Sequence, residues 1–158
     1  MSTAEPLTLD VSQWLNGPPV DLAGLRGRVV LIETFQMLCP GCISRGLPQA
    51  VRVRRLFSAE QVAVLGLHTV FEHHDVMGPD ALAVFLSEYG ITFPVAIDRP
   101  SDRGPLPVTM ERLGLQGTPS TLLLDRNGVL RRSYFGAIDD LVLGAEIGRL
   151  LTEPYAGD

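Results

Sequence analysis

"RVVLIETFQMLCPGC", residues 28–42, runs from an almost unbroken apolar segment straight into the only two cysteines of the chain, Cys39 and Cys42. A run that is apolar at odd and even positions alike suits a strand covered on both faces. Behind it, Ile43, Leu47, Ala50 and Val51 recur at helical spacing, which predicts a helix over 40–57. Pro40 fits the first helical position, where a missing N–H costs nothing. Cys39 then falls at the N-cap, its sulfur facing the free N–H groups of Gly41 and Cys42. Those donors and the helix dipole favour thiolate over thiol. In Cys-X-X-Cys motifs the first thiol drops from about 8.5 into a range of roughly 3.5 to 7.5. Cys42, one turn further, is placed to attack a mixed disulfide formed on Cys39.

The wider chain narrows the chemistry. At 158 residues, with 46% apolar and 20% charged residues, it has the makeup of one globular domain, expected to span residues 1–158. A net charge of −5 offers no footprint for nucleic acid or an anionic membrane. All 13 basic residues are arginine. Without a lysine there is neither a lysine-bearing phosphate loop nor Schiff-base catalysis. "MSTAEPLTLDVSQWLNGPPV" lacks the basic start and apolar core of a secretory signal, and no apolar run reaches membrane-spanning length. The expected address is therefore the cytoplasm, or the periplasm if a signal was trimmed, with no membrane insertion. Cytosolic thiols are normally kept reduced, which favours a reactive or metal-bound pair over a structural staple.

Beyond the cysteines the pattern alternates. "VAVLGLHTV" (62–70) and "FPVAID" (93–98) are predicted strands, with a helix between them that starts at Pro79 and carries a stripe of Leu82, Phe85, Leu86 and Tyr89. "RPSDRGPLP" is a loop leading to a short helix near 108–114. "STLLLD" and "VLRRSYF" flank Arg126, Asn127 and Gly128, a hairpin in which Asn and Gly both tolerate positive φ. Leu143, Ile147, Leu150 and Leu151 share one face of a final helix. "LNGPPVDLAGLRG" (15–27) is turn-rich and sets off an N-terminal segment. The order predicts an α/β fold: a central mixed sheet flanked by helices, with an antiparallel edge.

Three readings of the cysteine pair stand at this point: a reactive dithiol, half of a metal site, or two packed thiols. A closed zinc site wants four ligands, and there is no second Cys-X-X-Cys. His68, His73, His74, Glu72 and Asp75 could contribute, but adjacent histidines rarely converge on one ion. These histidines follow the second strand at the sheet edge where ligands gather in α/β folds. A role in tuning the thiols competes with a plain polar loop, which is favoured.

"VVLIETFQMLCPGC" and "GTPST" (117–121), together with the extra helix and strand before "FPVAID" and the N-terminal segment carrying Trp14, resemble the thioredoxin-fold thiol–disulfide oxidoreductases of the TlpA/ResA-like (redoxin) family. The resemblance covers nearly the whole chain. It implies a thioredoxin-like fold with an N-terminal extension and a helix–strand insertion. It makes Cys39 the attacking and Cys42 the resolving cysteine of a redox-active disulfide, with Pro40 and Gly41 between them. Pro119 matches the cis-proline of the family. The backbone of Thr118 would then lie beside the sulfur, ready to pair with an extended substrate. Glu33 stands where thioredoxins bury an aspartate. In an apolar strand its pKa should rise, so that it could relay a proton to or from Cys42.

The implied activity is exchange of disulfides in protein substrates, as a reductase if cytoplasmic, with an upstream electron donor or acceptor and no cofactor or metal. Phe35 and Leu38 replace the tryptophans of thioredoxin, no lysine can partner Glu33, and Pro48 falls one residue later than the helix proline of the family, which predicts a local register change. Two alternatives are carried forward. One is a peroxiredoxin-like peroxide reductase, whose threonine and proline are missing: Ile32 and Gln36 stand there before Cys39. The other is a zinc-holding or redox-regulated interaction module without turnover.

Overall fold

The computed structural model describes residues 4–157. Its strands are β1 (Val11–Leu15), β2 (Val29–Phe35), β3 (Val62–His68), β4 (Val95–Asp98), β5 (Ser120–Leu124) and β6 (Leu130–Phe135). Its α-helices are α1 (Leu47–Leu56), α2 (Pro79–Glu88), α3 (Val108–Leu113) and α4 (Asp140–Thr152). The strands form one mixed sheet in the order β1-β4-β3-β2-β5-β6. β2, β3 and β4 run parallel; β1, β5 and β6 pair antiparallel on either side. Of the extra helix and strand expected before "FPVAID", the structure has α2 and a 3-10 turn at His74–Val76 but no strand, since β4 is "FPVAID" itself.

β2 lies at the centre, and all seven of its residues are buried. By strand parity Val29, Leu31 and Phe35 join the core that includes Ala50 and Val53 of α1 and Leu143, Ile147 and Leu150 of α4. Val30 and Ile32 join the opposite core with Leu65, Leu67, Leu122 and Leu124, on which Trp14 also packs. Burial on both faces is why β2 and β3 lack polar alternation.

Four local predictions need correction. β1 has no strand signature in the sequence, because "VSQWL" is an edge strand, partly exposed throughout, whose Gln and Ser hide the pattern. It nevertheless pairs Val11 with Asp98 and Leu15 with Val95, with a bulge between Val11 and Gln13. The first helix is not one regular α-helix over 40–57. A π-helical turn occupies Cys42–Gly46 and brings the Leu47 N–H to the Cys42 carbonyl, and regular α-helix then continues to Leu56. A π turn accommodates one extra residue, which is how the late Pro48 is absorbed: it falls within the first turn of α1, where no N–H is needed. In the hairpin only Gly128 has positive φ, 80°. Asp125 holds the turn instead, its Oδ1 accepting from the N–H groups of Asn127 (2.9 Å) and Val129 (3.1 Å). Tyr89, placed in the apolar stripe of α2, is exposed, its ring tilted against Phe85 with centroids 4.6 Å apart.

Candidate active site

The parallel ladder of β2 and β3 ends at the pair Phe35 and His68, with a last bond from the Thr69 N–H to the Phe35 carbonyl (3.0 Å). Four residues later the chain reaches Cys39 and turns into helix. The Ile43 N–H donates to the Cys39 carbonyl (3.1 Å) and the Cys42 N–H to Cys39 Sγ (3.2 Å). Of the two donors expected at the cap, the Cys42 N–H meets the sulfur. Cys39 and Cys42 are joined as a disulfide. Cys42 is fully buried, and Cys39 keeps 9% of its surface, so any partner must meet Cys39.

Thr118, 79 residues from Cys39 in sequence, closes the other side. Its carbonyl and its Oγ1 each lie 3.6 Å from Cys39 Sγ. The Thr118–Pro119 peptide bond is cis, as the resemblance implied. The segment is fixed from three sides: Ser120 Oγ donates to the Gly117 carbonyl (2.7 Å), Thr34 Oγ1 to the Ser120 carbonyl (2.9 Å), and the Gly136 N–H to the Pro119 carbonyl (2.8 Å). Gly41 lets the two segments meet, since a Cβ there would lie 3.2 Å from Pro119 Cδ.

Glu33 sits two residues past Leu31, so strand parity turns it toward the helix side, beneath the π turn. It is 1% exposed, and desolvation pushes its carboxyl from the ordinary 4.5 up to about 8. The hydrogen bond from Thr121 Oγ1 to Oε2 (2.7 Å) opposes that rise without overcoming it. Its Oε1 is buried with no partner. A side chain on Gly46 would collide with that oxygen and with Pro119. A cavity of about 360 Å³ opens beside Gly46, Thr121, Gln49 and Arg45, next to the buried carboxyl.

The fold thus gathers Glu33, Cys39, Pro40, Gly41, Cys42, Thr118 and Pro119 into one place. It separates the histidines. His68 is 1% exposed, packs against Phe35 with ring centroids 5.2 Å apart, and accepts the Met37 N–H at Nε2 (3.3 Å). Burial pushes it from 6.5 down to about 4, so it is neutral. His74 meets the Pro105 carbonyl (3.0 Å) on the surface. Among the described residues no group of three or more His, Cys, Asp or Glu could hold a metal, nor is any helix long and apolar enough to cross a membrane. Gly46 and Thr121 join the site without being candidates from the sequence. No motif marks them, because their roles come from what the sheet register and helix packing bring opposite.

No protein-family model matches the chain. It is 51% identical to the solved structure of a thiol-disulfide isomerase from Corynebacterium glutamicum, with TM-score 0.94, covering 96% of this chain and 99% of that one. It is 30% identical over 150 residues to Protein DipZ of Mycobacterium tuberculosis, covering 93% of this chain but spanning only 20% of that protein. It is 27% identical over 133 residues to the thiol:disulfide interchange protein DsbE of Allochromatium vinosum, covering 84% of this chain and 65% of that protein.

Proposed function

We propose, from the premise that this chain belongs to the TlpA/ResA-like family of thioredoxin-fold thiol–disulfide oxidoreductases, that residues 1–158 form one such domain and reduce disulfides in protein substrates through Cys39 and Cys42. The carrying observation is the position of Cys39 Sγ, on the Cys42 N–H and within 3.6 Å of Thr118.

In this reading the Cys39 thiolate attacks one sulfur of a substrate disulfide, forming a mixed disulfide and releasing the first substrate thiolate. Cys42 loses its proton and attacks Cys39 Sγ. The Cys39–Cys42 bond forms, the mixed disulfide breaks, and the second substrate thiolate leaves with both electrons. Glu33, with a carboxyl near 8, has both protonation states within reach of neutral pH, and so can take the Cys42 proton or return it. The cavity beside Gly46 and Thr121 supports proton exchange with water. Pro40, Gly41, Thr118 and Pro119 form the face that an extended substrate would meet, and the backbone of Thr118 offers it strand-like pairing. Leu38 and Phe135, each more than half exposed, give that face an apolar rim.

Reduction is the direction this dithiol would take in a compartment that keeps thiols reduced, such as the cytoplasm, fed by an upstream electron donor. The potential decides it: equilibration with glutathione and dithiothreitol, read by thiol alkylation, should return a value near that of thioredoxin, about −270 mV. A value near −120 mV, that of the oxidant DsbA, would reverse the direction.

The roles of the two cysteines are tested by Cys42→Ser. With its resolving thiol removed, the protein should accumulate a mixed disulfide on Cys39 when mixed with a disulfide-bonded protein, visible as an adduct by mass spectrometry. Failure to trap an adduct, or an adduct formed equally well by Cys39→Ser, would reject the assignment.

A further inference from the structure

We propose that His68 is a positioning residue for disulfide exchange: its Nε2 holds the Met37 N–H and thereby keeps the loop before Cys39 in the geometry that presents the sulfur to its donors. The inference rests on the dithiol reading above and adds to it a residue outside the Cys-X-X-Cys and Thr-Pro motifs.

The argument is an accounting of backbone donors. The ladder between β2 and β3 ends with the Thr69 N–H on the Phe35 carbonyl. The next donors on the cysteine side, Met37 N–H and Leu38 N–H, have left the sheet and are met by side chains. Met37 N–H goes to His68 Nε2 (3.3 Å), and Leu38 N–H to Met77 Sδ (3.4 Å). Gln36 is tied down as well, its Oε1 accepting from the N–H groups of Phe71 (3.1 Å) and Glu72 (3.4 Å). Each residue between β2 and Cys39 is therefore held by the last residue of β3 or by the segment that follows it. His68 and Met77 are 1% and 3% exposed, so no water replaces either acceptor cheaply. Acceptance at Nε2 puts the ring proton on Nδ1 and requires the neutral imidazole, which matches the downward shift that burial imposes on it.

The hold matters more to one redox state than to the other. In the oxidised form the covalent bond itself keeps Cys39 beside Cys42. In the reduced form that covalent restraint is gone, and the loop, with the helix start, has to keep Cys39 Sγ on the Cys42 N–H and near Thr118 Oγ1, the contacts that stabilise a thiolate. Loosening the loop therefore raises the free energy of the dithiol more than that of the disulfide.

The test is the equilibrium of the purified protein with reduced and oxidised glutathione, read by alkylation, in wild type, His68→Phe and His68→Gln. Phenylalanine keeps a ring against Phe35 but cannot accept; glutamine places an acceptor near the Nε2 position. His68→Phe should shift the equilibrium toward the disulfide by about three- to tenfold, and His68→Gln should restore most of it. A fall in thermal stability with an unchanged equilibrium, or a glutamine variant no better than phenylalanine, overturns the proposal. Should the phenylalanine variant not fold, His68→Leu, which also removes the acceptor, takes its place, and an unchanged equilibrium there overturns the proposal equally. A wild-type protein that forms no Cys39–Cys42 disulfide at any glutathione ratio overturns the dithiol reading itself, before any variant is compared.

Discussion

Replacing Glu33 with glutamine should stabilise the oxidised protein by up to about 5 kcal/mol above pH 8 and change little below pH 4.5. The folded-state pKa is raised, to about 8 from the ordinary 4.5. At low pH the acid is neutral in both states, and its burial carries no ionisation penalty. As pH rises past 4.5 the unfolded chain releases this proton and the folded chain retains it, so stability falls until the folded carboxyl also ionises near 8. About 3.5 units at roughly 1.4 kcal/mol each sets the size of the effect. Glutamine mimics the protonated acid. Its carbonyl can accept from Thr121 Oγ1, and its amide replaces an O–H that has no acceptor either, because Oε1 has no partner. Using the disulfide form keeps the thiols out of the titration. His68 acts in the opposite sense: lowered to about 4, it withdraws stability as pH falls below 6.5. Asp98, raised by burial, adds to the loss on the alkaline side. Both are present in both proteins and cancel in the difference. Urea titrations at pH 4, 6, 7 and 9 measure it, and two curves that stay parallel across that range would show that Glu33 is not buried as an acid.

The second large effect is one of sign. In a helix, glycine to alanine ordinarily stabilises by about 1 kcal/mol. Gly144 in α4 should follow that rule, since a Cβ there meets nothing within 4 Å. Gly46→Ala should do the reverse. Its Cβ would overlap Glu33 Oε1 and lie 2.9 Å from Pro119 Cβ, with the carboxyl carbon at 3.3 Å. Neither neighbour can yield easily: Glu33 is packed inside the sheet, and the Pro119 carbonyl is tied to Gly136. We expect Gly46→Ala to destabilise by about 2–3 kcal/mol, as overpacking of a full core does, and to slow exchange with a small disulfide at least about tenfold, because it displaces two groups of the site together. Chemical denaturation and a stopped-flow exchange assay, run beside Gly144→Ala, give the comparison. A Gly46→Ala protein as stable as Gly144→Ala would show that the π turn can move away from the strand at no cost.

Both predictions concern residues whose importance is unevenly written in the sequence. Glu33 could be found from its place inside an apolar strand, since a carboxyl there must be neutral or paired. Its partner could not, because Thr121 comes opposite Glu33 only through the register of β2 with β5. The late position of Pro48 signalled a change of register in the first helix. That the change is a π turn at Cys42–Gly46, packed against Glu33 and Pro119, depends on how the helix lies on the sheet. His68 was visible as a histidine near a strand end, and the polar-loop reading was favoured for its neighbourhood; the ring in fact turns inward onto Met37 N–H.

The features legible in the sequence are local and short in range. An apolar strand leads into Cys39-Pro-Gly-Cys42, a helix start puts backbone donors on the first sulfur, and the Gly-Thr-Pro segment precedes another strand. These follow from periodicity, capping and proline geometry, which involve only near neighbours in the chain. Only the tertiary structure decided that "VSQWL" joins the sheet edge, that Thr118 lies beside Cys39, and that Gly46 must lack a side chain. It also decided that His68 and Met77 take the two backbone donors before the dithiol. Each of these depends on contacts between segments far apart in sequence. Strand register and helix packing set such contacts for the whole core at once, and no single stretch of residues encodes them.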